Sequence, residues 1–362
     1  MNILMCEYLQ YDTVFQVGSH YYAKEFLKEN NNVVWANQPK PFFFGKEKNN
    51  KVPTTNLEIY NPNVLLPFCK YPGLNTKFWA EYHIKYPFSK VSSDLKKKEI
   101  DVMWLTNVKM YELANQLNYK FMIHRMADDF SGFKGAYKNL IYLQNQVVQK
   151  SNLVVVTAKN LVDVAYKHNK NVLYLPNGVN TNRFKGNVGD MPLEYQNLNR
   201  PVVVYVGAVE EWFDYELVIK AAEKLKEYAF VIIGNVNDKI RETFASNKNI
   251  HLLGKKSHDE IPKYLKHANV GIMPFVDNKL TNSIHPLKLY EYFAAGLPVV
   301  SRQLQEVVEM DSPAKLYKTN EEFITLIDEA IKETLNKEMF IEYAEHNTWE
   351  KRYEHLKQYI NY

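Results

Sequence analysis

The chain has 362 residues, 46% of them hydrophobic, and a formal charge of +4 at neutral pH. That length accommodates two domains with separate cores, and so small a charge does not argue for nucleic acid as a partner. The two cysteines, Cys6 and Cys69, show no paired spacing, which argues against a structural zinc site and for a reduced compartment. Met1 to Tyr8 lacks a basic region, and Glu7 and Asp12 come early, so the start does not read as a signal peptide. No apolar run approaches the roughly 20 residues needed to cross a bilayer. A cytoplasmic protein is expected, with contact at a membrane surface left open.

Apolar runs alternate with helix-like segments, the pattern of parallel α/β sheets. Strands are expected at Asn2 to Tyr8, Asn32 to Ala36, Val64 to Phe68, Asp101 to Thr106, Phe121 to Arg125, Leu153 to Ala158 and Val172 to Pro176, with a helix from Gly18 to Asn30. Their nearly continuous apolarity suits strands covered on both faces. Between Pro39 and Lys98 the pattern loosens, and aromatic and basic residues mix, as in Lys77-Phe-Trp-Ala-Glu-Tyr-His. Such a mixture suits either a helix packed on a sheet or a surface facing lipid or acceptor.

A polar stretch from Gly186 to Arg200 reads as a linker. A second series follows: strands at Val202 to Ala208, Phe230 to Gly234, Ile250 to Leu253 and Val270 to Phe275, with a helix from Tyr215 to Glu227. Ser257-His-Asp-Glu260 matches a capping box. The final segment is amphipathic, with Trp349, Tyr353, Leu356 and Ile360 near one face. The chain therefore reads as two Rossmann-like α/β domains in tandem.

The stretch from Asn282 to Val300 predicts a loop, a helix and a buried strand. Pro286 suits the first helical turn, and Gly296 suits the left-handed position that ends a helix, with Pro298 blocking continuation. Lys288 lies where free N–H groups and the helix dipole already favour an anion. Glu291 stands three residues on, on the same face. The pair suits a phosphate with a neighbouring hydroxyl pair, or is simply a solvated Lys–Glu pair.

Ligands of open α/β sheets bind beyond the carboxyl ends of strands, where further candidates lie. Gly207 would allow close backbone approach or is a plain turn glycine. Ser19 and His20 offer donors near the first helix, or Ser19 caps it. In His124-Arg-Met-Ala-Asp-Asp-Phe-Ser131, Asp128 could take a proton from an acceptor hydroxyl while Asp129 or Ser131 caps the next helix, or both aspartates simply cap. Ser301-Arg302 reads better as surface. No phosphate-binding P-loop, dinucleotide fingerprint, Asp-x-Asp or His/Cys cluster occurs. Neither a metal nor another cofactor is demanded.

Pro176-Asn-Gly-Val-Asn-Thr-Asn-Arg-Phe184, Tyr205-Val-Gly-Ala208, Ile250-His-Leu-Leu-Gly254 and Pro286-x-Lys288-x-x-Glu291-Tyr-x-Ala-x-Gly-Leu-Pro-Val-Val300 together resemble the GT-B glycosyltransferases over most of the chain. The resemblance implies two Rossmann-like domains facing each other across a cleft. Residues 1–180 would form the acceptor domain, 181–345 the nucleotide-sugar domain, and the helix at 346–362 would pack back onto the first. Lys288 would meet the donor diphosphate and Glu291 the ribose. Gly207, Gly254, Lys255 and His285 would complete the donor side, and Ser19, His20, Arg125 and Asp129 the acceptor side. Retaining members commonly carry a second Glu where Ser283 stands here. The nearer likeness is to bacterial exopolysaccharide enzymes of the xanthan glucuronosyltransferase type, in which an Arg-x-x-Asp carboxylate deprotonates the acceptor, the place of Arg125 and Asp128. The expected reaction is transfer from a UDP-sugar to a lipid-linked or glycan acceptor of a cell-surface polysaccharide, with inversion. A retaining enzyme and a non-catalytic GT-B-like binding partner are the alternatives.

Overall fold

A computed structural model describes the chain except residues 14–15, 43–49, 52–55, 67–72, 74, 83, 85–94, 133–137, 187, 199, 279–280, 284, 334–335 and 361–362, and the side chains of 50, 51 and 283. It divides into two compact units, one of Met1–Pro176 with Arg352–Tyr362 and one of Asn177–Lys351. The break falls a few residues before the expected boundary. The chain re-enters the first unit at Arg352, inside the helix Trp349–Lys357 rather than ahead of it.

The first unit contains β1 (Asn2–Cys6), β2 (Asn32–Ala36), β3 (Lys40–Pro41), β4 (Asn50–Lys51), β5 (Leu57–Tyr60), β6 (Asn63–Val64), β7 (Ile100–Leu105), β8 (Tyr119–Met126), β9 (Leu153–Val156) and β10 (Val172–Tyr174). Its main sheet runs β10-β9-β8-β7-β1-β2-β5-β4, with only β4 antiparallel to its neighbour. Order reverses between β1 and β7, so the carboxyl ends of these two strands, at Glu7 and Thr106, flank the switch point where such sheets bind ligands. β5 is not announced by the sequence: it is short, carries Glu58, and gains its ladder only because β2 offers a free edge. Of the expected strand Val64 to Phe68, Val64 pairs with β3 apart from the main sheet, Leu65 and Leu66 are bends, and residues 67 and 68, like Cys69, lie outside the described residues. Tyr353 packs edge-on to Phe26 at 5.1 Å, and its hydroxyl donates to Glu29 at 2.6 Å, so the end of the chain belongs to this core.

The second unit has β11 (Val202–Val206), β12 (Ala229–Ile233), β13 (Ile250–Gly254), β14 (Val270–Met273), β15 (Val299–Arg302) and β16 (Lys315–Tyr317), all parallel in the order β13-β12-β11-β14-β15-β16. Its switch point lies between β11 and β14. Helices Asn320–Lys332 and Lys337–His346 complete it. The first of these carries a full capping box between Thr319 and Glu322. The expected capping box at Ser257 is only half made. Glu260 accepts from the Ser257 amide at 3.0 Å, but the Ser257 hydroxyl also donates to that carboxylate, and the helix proper begins at Ile261.

Candidate active site

The helix Leu287–Ala294 has eight residues, too short to persist on propensity alone. It is held by burying Leu289, Tyr290, Tyr292, Phe293 and Ala294, each worth about 1.5–3 kcal/mol when fully buried, less for Ala294. Pro286 is its N-cap, with φ −82° and ψ 101°, one place earlier than expected. At the other end Gly296, with φ +73°, donates to the Phe293 carbonyl, and Leu297 donates to that of Tyr292, the paired bonds of a Schellman motif. The Tyr292 ring lies where a side chain at Gly271 would stand, and its hydroxyl accepts the Val206 amide at 2.8 Å. A β14 glycine and the last β11 amide thus fix the helix at the switch point.

This seating brings Lys288 against Gly207. Gly207 has φ +151°, a conformation that favours glycine, and a Cβ there would overlap Lys288 Cε, so the lysine would have to shift. What stands against Gly207 is therefore a side chain of the protein itself. Lys288 Nζ stands 5.9 Å from the Tyr205 ring centre and has no ion-pair or hydrogen-bond partner among the described residues. Burial lowers its pKa from the ordinary lysine value, and the charge of Glu291 opposes that shift. A half-buried cation in this state gains by meeting an anion. The amides of Gly207 and Gly234 donate to Ile233 and Gly254 carbonyls at 2.8 and 2.9 Å, which aligns the ends of β11, β12 and β13. Lys255 follows as an exposed side chain.

Glu291 Oε1 lies 3.6 Å from His258 Nε2 and 4.0 Å from Arg183 Nη1. Neither neighbour was foreseen, because Arg183 and His258 stand more than a hundred and more than thirty residues earlier in the chain. His285 corrects its expectation. Its ring is buried, with Nδ1 2.9 Å from Glu306 and Nε2 3.0 Å from the Tyr290 hydroxyl. The imidazole braces the loop from inside, and reaching a donor would break both bonds. Arg302 is also internal: it donates to the Phe275 and Lys318 carbonyls and stacks over Tyr317.

In the first unit the Ser19 hydroxyl meets Thr106 at 3.2 Å, and Thr106 donates to buried Glu7 at 2.9 Å. Ser19 therefore does not cap its helix; Val17 is the N-cap, and its amide donates to His20 Nδ1. With Nε2 on the Gln10 carbonyl at 3.0 Å, His20 has both ring nitrogens engaged and faces Trp35 rather than a ligand space. Arg125 is buried between the charges of Glu7 and Asp128. Asp129 accepts from the amide and hydroxyl of Ser131 at 2.9 and 2.6 Å, fastening the short turn Phe130–Gly132.

Asp128 opens into a cavity of about 250 Å³ lined by Tyr8, Thr106, His124, Arg125, Phe130 and Gln144, among others. Gln144 donates to the Asp128 carbonyl at 2.7 Å and accepts from Phe130, which holds the loop in place. The Asp128 side chain is reached by water yet walled closely enough that burial raises its pKa, with Arg125 opposing. His124 lies beneath, with Nδ1 2.7 Å from the Leu105 carbonyl and no hydrogen-bond partner for Nε2 among the described residues. Burial pushes its pKa down to about 4, so it is neutral at pH 7.

Burial raises Glu7 from an ordinary 4.5 to about 7, against the pull of Thr106, Ser19 and Arg125. Between those values the unfolded chain binds fewer protons than the folded one, so stability falls as pH rises through that window, by about 3 kcal/mol in all. Chemical denaturation from pH 5 to 8 should show this slope in the wild type and not in Glu7→Gln. Equal slopes would mean that Glu7 is ionised throughout.

Residues 194–347 match the family described as glycosyl transferases group 1. Over 115 residues the chain is 27% identical to TuaH of Bacillus subtilis (strain 168), a proposed teichuronic acid biosynthesis glycosyltransferase; that stretch spans 31% of this chain and 29% of TuaH. Among solved structures, sucrose-phosphate synthase (tll1590) from Thermosynechococcus elongatus is similar at 14% identity and TM-score 0.70, covering 99% of this chain and 97% of that one. Anabaena Alr3699/HepE in complex with UDP and glucose is similar at 11% identity and TM-score 0.69, covering 99% and 98%. The fold is GT-B, two parallel-sheet α/β units. The match to the glycosyltransferase family lies within the second unit, the one that holds Gly207, Lys288 and Glu291. Among the described residues no helix is long and apolar enough to cross a membrane.

Proposed function

We propose that this protein is a glycosyltransferase that moves a sugar from a UDP-sugar to a hydroxyl of a lipid-linked or glycan acceptor in cell-surface polysaccharide synthesis, with inversion at the anomeric carbon. The observation that carries the reading is Lys288: a half-buried ammonium with no ion-pair or hydrogen-bond partner among the described residues, pressed on the Gly207 turn at a sheet switch point. The group 1 match over residues 194–347 and the UDP bound to HepE support a nucleotide-sugar donor there. TuaH supports a cell-envelope glycan as the setting.

In the proposed reaction the acceptor oxygen bonds to the anomeric carbon as the bond to the diphosphate breaks. Asp128 takes the acceptor proton. Lys288 and the free amides at the start of its helix receive the charge that develops on the leaving diphosphate, and Glu291 holds the ribose hydroxyls. No step calls on a metal. The likeness to enzymes of the xanthan glucuronosyltransferase type rests on Arg125-x-x-Asp128, and inversion on the need of direct displacement for such a base. Exposed Phe78, stacked on Tyr82 at 4.5 Å beside Lys77, supports a lipid-linked acceptor met at the cytoplasmic membrane face.

A thermal-shift screen of nucleotide sugars tests the donor half, since ligands that bind the native state raise its melting temperature. UDP-sugars are expected to shift it, and the product formed from the best of them should show the opposite anomeric configuration by NMR. A retained configuration would replace inversion with the retaining alternative and remove Asp128 from the mechanism. A shift with neither transfer nor donor hydrolysis across a broad panel would leave a non-catalytic binding protein.

A further inference from the structure

We propose that Arg183 is a positioning residue that sets the nucleoside half of the donor site by tying Glu291 to the loop after β13, where the base would lie. The inference rests on the donor reading above. Three segments of the second unit meet at this one guanidinium, which is only 17% exposed. Arg183 itself stands on the turn Thr181–Phe184. Its Nη2 donates to the backbone carbonyl of His258, in the loop that follows β13. Its Nη1 lies 3.0 Å from His258 Nε2 and 4.0 Å from Glu291 Oε1, on the helix that carries Lys288. Asp259, almost fully exposed, adds an outer contact at 3.7 Å.

The chemistry of the contacts divides the site. Because Nη1 carries only hydrogens, it donates to His258 Nε2, which places the ring proton on Nδ1. His258 then cannot donate to Glu291 through Nε2, and the positive charge facing that carboxylate is the guanidinium. The charge falls on Oε1; Oε2 has no partner among the described residues and is left to accept a hydroxyl pair. A lysine would hold one of these groups, whereas the planar fork holds a carbonyl and a ring nitrogen at once and keeps its charge toward Glu291. Lys288 has no contact with Arg183 among the described residues and senses this brace only through the charge of Glu291.

That separation makes the test. Calorimetric titration of Arg183→Gln should show UDP affinity reduced about ten- to a hundredfold, with inorganic pyrophosphate affinity unchanged. The UDP losses of Arg183→Gln and Glu291→Gln should fail to add, because both act through one carboxylate. Equal losses of UDP and pyrophosphate, or additive losses, would overturn the proposal, as would full UDP affinity in Arg183→Gln. If that variant does not fold, Arg183→Lys carries the same expectation at smaller size, since it keeps a charge but not the fork. Wild-type protein that binds neither UDP nor pyrophosphate would instead defeat the donor reading, and this inference with it.

Discussion

Asp128→Asn is expected to lower kcat about a hundred- to ten-thousand-fold, the usual worth of a positioned general base, while UDP affinity stays at the wild-type value. The carboxylate and the carboxamide that replaces it have nearly the same shape, and Gln144 holds the loop through the Asp128 carbonyl, which the substitution leaves in place. The loss would therefore report the proton and not the fold. Its pH signature follows from the walls of the cavity. Because burial raises the Asp128 pKa above the ordinary carboxylate value, the acid limb of kcat/KM should lie above that value. Activity then falls as pH drops through the raised pKa and the base becomes protonated. Normal turnover in the variant, with an unchanged acid limb, would move the base elsewhere or make the reaction one that needs none.

Lys288→Ala should weaken UDP binding by about ten- to a hundredfold, the worth of a charge-assisted contact in a partly desolvated site, and pyrophosphate binding by a similar factor. The reason is local. The ammonium stands against the Gly207 turn with no ion-pair or hydrogen-bond partner among the described residues, and desolvation already lowers its pKa. A diphosphate would supply the charge it lacks. Calorimetry with both ligands reads the effect, and melting of the unliganded variant shows that the fold survives. Unchanged affinity for both would take the diphosphate out of this site. The contrast with Arg183→Gln, which should affect UDP alone, separates the two halves of the donor pocket.

Much of this was legible along the chain because it depends on local chemistry. Continuous apolar runs such as Val202 to Val206 and Phe230 to Ile233 must be covered on both faces, which dictates parallel α/β layers. Pro286, Gly296 and Pro298 bound one helix through dihedral limits that belong to the residues themselves, and their spacing puts Lys288 and Glu291 on it.

The folded chain decided what those groups meet, because contacts between distant segments leave no trace in local pattern. That Lys288 lies against Gly207, that Arg183 meets both His258 and Glu291, and that Thr106 joins Ser19 to Glu7 are pairings across tens to more than a hundred residues. The same cause explains the corrections. His285 and His20 look like available donors in a string of letters, yet burial forces each ring nitrogen to find a partner, and Glu306, Tyr290, Gln10 and Val17 supply them. Short β5 exists only because β2 leaves an edge to pair with. Residue type and spacing set which chemistry the chain carries; packing, through the cost of leaving buried polar groups unpaired, set which of those groups remain free to act.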